Sequence, residues 1–398
     1  MFKNPYFTMI NISESRYLLP FGQSISDHKR GIKISRTGAD IWNLADKYAC
    51  EDDLISGYIA ESDIPDSSVS EVPSDIKAFL DQLKNLGMLL DELPSHRELS
   101  TDTRGVSFDE AYNNADIDAV TKVTIAGINL ELTTAPALTE AKFSAFESDF
   151  TIAPDLQIRT TEKDITVSEK ETIIADASEM TISESESFYI IRYKKNTCVK
   201  EMYIRKSGPE VLICLITGYG AASASDEVFH AIRIPFLLTA EKKGMYAIHS
   251  ASILYKEKAW LFSAPAGTGK STHARLWTQY SDAVNINGDL NLIGIKAGAP
   301  YVFGIPWCGT SEIFTKEDYP LGGVVFLKQA AENRIEEFTY EKALITLSRR
   351  TISPLWNSES LKKMMLDLEP VSAKITSLRL YCTKDPEARK VLQEYITY

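Results

Sequence analysis

The sequence predicts an α/β fold built around a phosphate-binding loop, and three observations carry that reading. The stretch LFSAPAGTGKSTHARLW, Leu261 to Trp277, sets a Gly-rich turn between an apolar run and a helical pattern. From Ala119 up to that loop the chain is dominated by strand-like runs: KVTIAGINLEL, DLQIRTT, SFYIIRY, EMYIRK and EVLICLITG. The tail from Glu341 alternates helical patterns with one short strand, SLRLYC, before a final helix. Strands that lead into a Gly-rich loop and then a helix are the sequence mark of an α/β arrangement.

Composition narrows the class. A chain of 398 residues has room for two or three domains and a large core. No apolar run approaches the roughly 18 residues needed to cross a bilayer, and MFKNPYFTMINISESR has neither the apolar core nor the cleavage site of a signal peptide. The expectation is a cytoplasmic protein with no membrane partner. Cys50, Cys198, Cys214, Cys308 and Cys382 lie far apart without a CxxC pair, which suggests reduced thiols rather than a zinc site or a disulfide framework. A net charge of −12 with no basic tract argues against nucleic acid as the main partner. A basic or neutral peptide fits better.

The texture changes near residue 91. Before it, RYLLPF (Arg16 to Phe21) and GIKIS (Gly31 to Ser35) read as small strands around a polar turn, Gln23 to Arg30. Three helical faces follow: Ile41, Trp42, Ala45 and Tyr48; Leu54, Ile55, Tyr58 and Ile59; and Ile76, Phe79, Leu80, Leu83 and Leu86. Ser74 is a candidate cap for the third and Gly87 a candidate stop. The acidic loop ESDIPDSSVSEVPSD separates the second helix from the third. The polar stretch 92–118 reads as a linker between a domain at 1–91 and a larger one at 119–398. In the larger domain DEVFHAIRIPFLLTAEKKG is amphipathic and reads as a helix, with Pro235 marking a kink or boundary. HSASILYKEKAWLFSA is two apolar runs joined at Lys256–Lys258, a hairpin leading into the loop.

A phosphate loop needs a strand, a Gly-rich turn with its N–H groups facing the anion, and a Lys-Ser/Thr pair opening a helix. AWLF supplies the strand, and Ala266, Gly267, Thr268, Gly269, Lys270, Ser271 and Thr272 are the candidate phosphate contacts. Lys270 reaches for the outer phosphates and the Ser271 hydroxyl for Mg²⁺. Ala264 stands where the usual motif has its first Gly, which is acceptable only with φ negative. Asp289, in AVNINGDLNLIGI, is the only acid in an apolar, amide-rich segment and the candidate second anchor of the metal. His249 is expected near the base of the loop strand, as a site residue or as a satisfied structural one. GIPWCGTSEIF puts Trp307, Cys308 and Glu312 on a Gly-flanked turn, either a loop over a pocket or a core plug. Arg349 and Arg350 read as a solvated helix face.

These segments, HSASI, SAPAGTGKSTHARLW, INGDLNLI, GIPWCG and YPLGGVVFLKQAAENRIE, resemble the HPr kinase and ATP-type phosphoenolpyruvate carboxykinase group, most closely its variants found beside ribosomal peptide genes. The likeness covers about residues 119–398, and it implies a phosphate loop on a mixed sheet, with ATP or GTP and Mg²⁺ as cofactors. Lys270 and Ser271 match the loop's phosphate and Mg²⁺ positions, His249 matches an upstream histidine, and Asp289 matches the second member of an Asp-Asp pair. The first member, regarded as the general base in HPr kinases, is Gly288 here. Asp289, His249 and Glu312 are the candidate catalytic residues alongside Lys270, and the sequence does not choose a base among them. ISRTGADIWNLAD and DIKAFLDQLKNLGML resemble a PqqD-type domain, a winged-helix module that binds leader peptides by adding a strand to its sheet. Between Asp27 and Asp91 seven Lys or Arg face thirteen Asp or Glu, a net −6, so leader peptide is expected there rather than DNA.

The resemblance implies a Ser/Thr kinase acting on a precursor peptide held by its leader. Two alternatives stay open: a nucleotide- and leader-binding partner protein that has lost transfer, motivated by Gly288 and Ala264, and a kinase of a small molecule such as free serine. Related kinases form oligomers, so a homo-oligomer is compatible with the reading.

Overall fold

The computed structural model describes residues 1–48, 50–62, 70–94, 98–99, 105–115, 119–195, 197–218 and 221–397. Within them the protein is a mixed α/β structure that divides into two units. The first comprises Met1–Leu99 with Glu171–Ser183 and Leu355–Lys362; the second holds Ser100–Lys170, Glu184–Pro354 and Lys363–Tyr398.

In the first unit β1 (Phe7–Ile12) and β2 (Ser15–Pro20) form an antiparallel hairpin, Phe7 opposite Pro20. The third strand, β3 (Ile32–Ile34), pairs with the other side of β2, Arg16 opposite Ile34. The polar turn before it contains a single helical turn, Gln23–Ser26. Helices α1 (Arg36–Leu44), α2 (Glu51–Glu61) and α3 (Val72–Asn85) follow. Ser35 starts α1 by accepting the Gly38 N–H at 3.0 Å. The three helical faces converge as the spacing predicts: Ile41, Trp42, Leu54, Ile76, Leu80 and Leu83 share one core with Phe7, Leu18 and Ile34. Ser74 is not the cap of α3. The helix begins at Val72, and the Ser74 hydroxyl donates to the Glu71 carbonyl at 2.8 Å. Gly87 ends it with φ 70°, its N–H meeting the Lys84 carbonyl. Residues 63–69 of the acidic loop lie outside the described residues.

The stretch expected to be linker holds structure over its described residues 105–115. Strand Val106–Ser107 leads into helix Phe108–Asn113, whose Phe108, Ala111 and Tyr112 pack on Phe188, Ile190, Tyr203 and Leu212 of the second unit. One apolar turn is too short to stand out from a polar sequence.

The second unit carries two large sheets. The first runs β7 (Phe188–Tyr193), β8 (Val199–Arg205), β9 (Glu210–Leu215), β6 (Leu156–Thr161), β5 (Ile128–Thr133) and β4 (Val120–Ile125) across its strands. KVTIAGINLEL is thus two strands, reversing at Ala126 and Gly127. Helix α4 (Ala221–Lys242) follows and continues past Pro235, which is therefore not its boundary. Burial of Val228, Phe229, Ile232, Phe236 and Leu237 along this helix outweighs the one backbone hydrogen bond that proline removes.

The second sheet is mixed. The hairpin of β10 (Tyr246–Tyr255) and β11 (Lys258–Ser263) forms as its two apolar runs predict, through a two-residue turn with Lys256 and Glu257 both at positive φ. After α5 (Lys270–Tyr280) come β12 (Val284–Asn287), β13 (Leu290–Lys296), β14 (Ala299–Phe303), β15 (Tyr319–Gln329) and β16 (Arg334–Glu337), then α6 (Tyr340–Ser348), β17 (Thr376–Cys382) and α7 (Glu387–Thr397). Strand order is β11–β10–β13–β14–β15–β17–β16, and β11 also pairs with β15, so β10, β13, β14, β15 and β11 close on themselves. β11 and β17 run parallel to β15, while the other neighbours are antiparallel. Among the described residues no helix is long and apolar enough to cross a membrane.

Candidate functional site

Strand β11 positions the loop. It is buried from Ala259 to Ser263 because β10 and β15 flank it, and the chain leaves the sheet at Ala264, which keeps a negative φ as an alanine there requires. Gly267 (φ 75°) and Gly269 (φ 108°) make the left-handed turn, and α5 opens at Lys270. Ala264, Ala274 and Trp277 bind loop and helix to a core with Ala251, Ile253, Phe262 and Val325. His273 is part of that packing: burial takes its pKa down to about 4, and it accepts a hydrogen bond from Trp277 Nε1. The Lys270 ammonium donates back to the Ala264 carbonyl at 3.4 Å. Burial pushes its pKa down and Arg350 pushes the same way, against the pull of Asp289. A partly desolvated cation beside free helix N–H groups is the setting an anion stabilises.

Asp289 sits opposite on a turn shaped by Asn287. The Asn287 side-chain oxygen accepts the N–H groups of Asp289 (3.0 Å) and Leu290 (3.1 Å), while its amide donates to the Trp307 carbonyl at 3.1 Å. Below it Asn291 donates to the Ser250 carbonyl and accepts from the Ser252 hydroxyl, both at 2.6 Å. This buried polar network fixes the turn against β10. The Asp289 carboxylate lies 3.2 Å from His249 Nε2. That hydrogen bond, with the charges of Lys270 and Arg233, holds it below the usual carboxylate range despite burial. His249 therefore faces Asp289, and the hairpin register sets it beside the exit of the loop strand rather than its base: Ser250 pairs with Ser263, whose hydroxyl donates to the His249 carbonyl at 2.8 Å.

These groups line one cavity of about 330 Å³: Gly267, Gly269, Lys270, Ser271 and Thr272 from the loop and helix, Gly288 and Asp289 from the turn, and Cys308, Thr310 and Ser311 from the loop above. Ala266 is exposed outside it, and Thr268 does not line it either, its carbonyl accepting from Gln329 at 3.2 Å. Glu312 is exposed with φ 57° and does not line the cavity. Trp307 is a core plug, its indole N–H donating to the Phe229 carbonyl at 3.0 Å and its ring between Phe229 and Phe236. Burial raises the Cys308 thiol pKa, so it is not an activated nucleophile.

A Cβ on Gly288 would overlap the Ser311 side chain and lie 3.3 Å from the Cys308 carbonyl. The 308–311 turn thus fills the room an aspartate at 288 needs. Gly309 allows the same approach from the other side, since a Cβ there would come within 2.8 Å of Asp289 Cβ.

No family model and no curated relative matches the sequence. Among solved structures the chain is similar to "Structure of the Hpr(Ser) kinase/phosphatase from Coxiella burnetii", with 8% identity and a TM-score of 0.22, over 37% of this chain and 95% of that one.

One cation near the cavity, Arg233, escaped the sequence reading, and a second, Arg350, was read there as part of a solvated helix face. Arg233, on α4, is half-buried and its charge acts on Asp289; Arg350, at the end of α6, is half-buried rather than solvated and acts on Lys270, while its carbonyl accepts the His249 N–H at 3.1 Å. The only sequence signal for either was the Arg349–Arg350 pair.

Proposed function

We propose that the protein is a cytoplasmic ATP-dependent kinase that phosphorylates a Ser or Thr hydroxyl of a ribosomally synthesised precursor peptide whose leader is held by the N-terminal unit. The observation that carries this reading is the single cavity in which Lys270 and Ser271 of a strand–loop–helix face a carboxylate, Asp289, held ionised by His249. The triphosphate of ATP would lie along the N–H groups at the start of α5, with Lys270 on the outer phosphates. Among the described residues no group of three or more His, Cys, Asp or Glu is placed to hold a metal. Mg²⁺ would therefore take Ser271 and Asp289 from the protein and its other ligands from phosphate and water. Once bound, it neutralises charge on the β- and γ-phosphate oxygens. Phosphoryl transfer asks chiefly for positioning and charge neutralisation, which Lys270, the helix N–H groups and the nearby Arg233 and Arg350 supply. Asp289, oriented by His249, is the acceptor for the proton of the attacking hydroxyl; Glu312, outside the cavity, is not.

The N-terminal unit suits a leader peptide. Strand β3 pairs with β2 alone among the described strands, leaving an edge that a peptide can extend. Tethering by the leader would raise the local concentration of the core peptide to about the mM range. Mass spectrometry of candidate precursors incubated with the protein, Mg²⁺ and ATP tests the proposal. One added phosphoryl group, absent with Lys270→Met and with leaderless peptide, supports it; turnover that ignores the leader favours a small-molecule substrate such as free serine.

A second reading rests on Gly288. With Ser311 filling the place of the family's base, the protein would be a nucleotide- and leader-binding partner of another maturation enzyme. Tight nucleotide binding with no transfer to any leader-bearing peptide would favour it.

A further inference from the structure

Beside the phosphate cavity lies a second, of about 280 Å³, between α5 and strand β12. The two share Ser271, Thr272, Gly288 and Ser311, so they meet at the bare backbone of Gly288. The second is walled by Ala251, Ala274 and Ile313 and contains Asn285, whose side-chain oxygen is buried without a hydrogen-bond partner. An unmet buried acceptor is destabilising, so this one awaits a donor. β12 pairs only with β10 among the described strands, and Val284 and Ile313 are 59% and 37% exposed beside it.

We propose that this groove is the acceptor subsite, taking an extended, hydroxyl-bearing peptide segment. The inference rests on the kinase reading above and names where its substrate lies. The segment runs beside the β12 edge, one of its N–H groups meets Asn285 Oδ1, an apolar neighbour packs on Ile313 and Val284, and its Ser or Thr side chain passes Gly288 into the phosphate cavity. Ser271 and Asp289, which would hold Mg²⁺ and so keep the outer phosphates beside them, adjoin Gly288, and an acceptor entering there would reach the γ-phosphorus. The nucleoside belongs at the opposite end of the triphosphate. The acceptor oxygen bonds to the γ-phosphorus as the bond to the β–γ bridging oxygen breaks, ADP leaves with that electron pair, and the hydroxyl proton passes to Asp289. Gly288 is then a requirement of the groove: a side chain there would displace Ser311 and narrow the passage between the cavities.

The test uses the full-length protein, MgATP and a degenerate peptide mixture with a fixed central serine at high concentration, measuring phosphate incorporation and the KM for each substrate. Asn285→Leu removes the acceptor atom, and Ile313→Asp, on an exposed loop, serves if the first variant folds poorly. Losing one such hydrogen bond predicts that the KM for peptide rises about five- to tenfold while that for MgATP holds within about twofold. A matching rise in the KM for MgATP would assign the groove to the nucleoside, and unchanged peptide kinetics in both variants would leave it without a role; either overturns the inference. Failure of the wild-type protein to phosphorylate any peptide, including leader-bearing precursors, would instead overturn the kinase reading beneath it.

Discussion

Lys270 carries a charge the apoprotein does not stabilise. Its folded pKa lies below that of the unfolded chain, because burial and Arg350 disfavour the ammonium more than Asp289 supports it. The cost is fully present at neutral pH, where both states are charged, and is relieved only as pH rises through the folded pKa. Lys270→Met is therefore expected not to lower the apo melting temperature at pH 7, while abolishing the upward shift that MgADP gives the wild type. A ligand at a hundred times its Kd adds about 2.7 kcal/mol, so the lost shift is readily measured by thermal denaturation. Asp289 has the opposite sign. Its lowered pKa stabilises the fold above the ordinary carboxylate range, and that contribution is lost as pH falls through the folded value. The stability difference between wild type and Asp289→Asn, read in denaturant melts, should shrink in acid as pH falls through the folded value of Asp289. Asn287, overlooked in the sequence because an amide in a turn is ordinary, has the larger structural burden. Asn287→Ala strands two N–H groups and the Trp307 carbonyl, and is expected to cost about 2–4 kcal/mol in denaturant melts and to weaken nucleotide binding with it.

At the scale of elements, legibility follows the range of the interactions. The β10–β11 hairpin, the loop and the start of α5 were readable because alternation, a short turn and a Gly-Lys-Ser sequence are local signals. The helices of the first unit were readable from their apolar spacing. Unreadable was helix Phe108–Asn113, stabilised by partners some 80 to 100 residues away in sequence such as Phe188 and Tyr203; α4 was readable as a helix, but not its continuation past Pro235. The same holds inside the site. Lys270, Ser271 and Asp289 announce themselves by residue type, whereas Arg233, Arg350 and the fit of Ser311 over Gly288 exist only once distant elements meet. That fit is testable. Gly288→Asp, which adds a second carboxylate beside Asp289, should destabilise the protein by displacing the 308–311 turn, and Ser311→Gly in the same chain should recover part of the loss. A coupling above about 0.5 kcal/mol between the two changes would measure the contact; additive effects would deny it.

Over the whole molecule, a chain of net charge −12 sets Lys270 in the cavity, with Arg233 acting on Asp289 and Arg350 on Lys270, while the stretch 27–91 carries a net −6. The proposed function places nucleotide and leader on different units, and hydrogen exchange tests that division. MgADP should protect amides at 264–272, 287–291 and 308–312 without touching β1 to β3, and leader peptide should protect β2 and β3 without touching the loop. Protection of one region by both ligands would contradict that division. The central claim is transfer itself. A single-turnover reaction of the wild-type protein and a leader-bearing precursor with ATP radiolabelled on its γ-phosphate measures it most directly, with Asp289→Asn in parallel. The account predicts label on a peptide Ser or Thr, and at least about a hundredfold slower labelling in the variant. Label that stays in ATP, or appears only as inorganic phosphate while the peptide remains bound and unmodified, would contradict it.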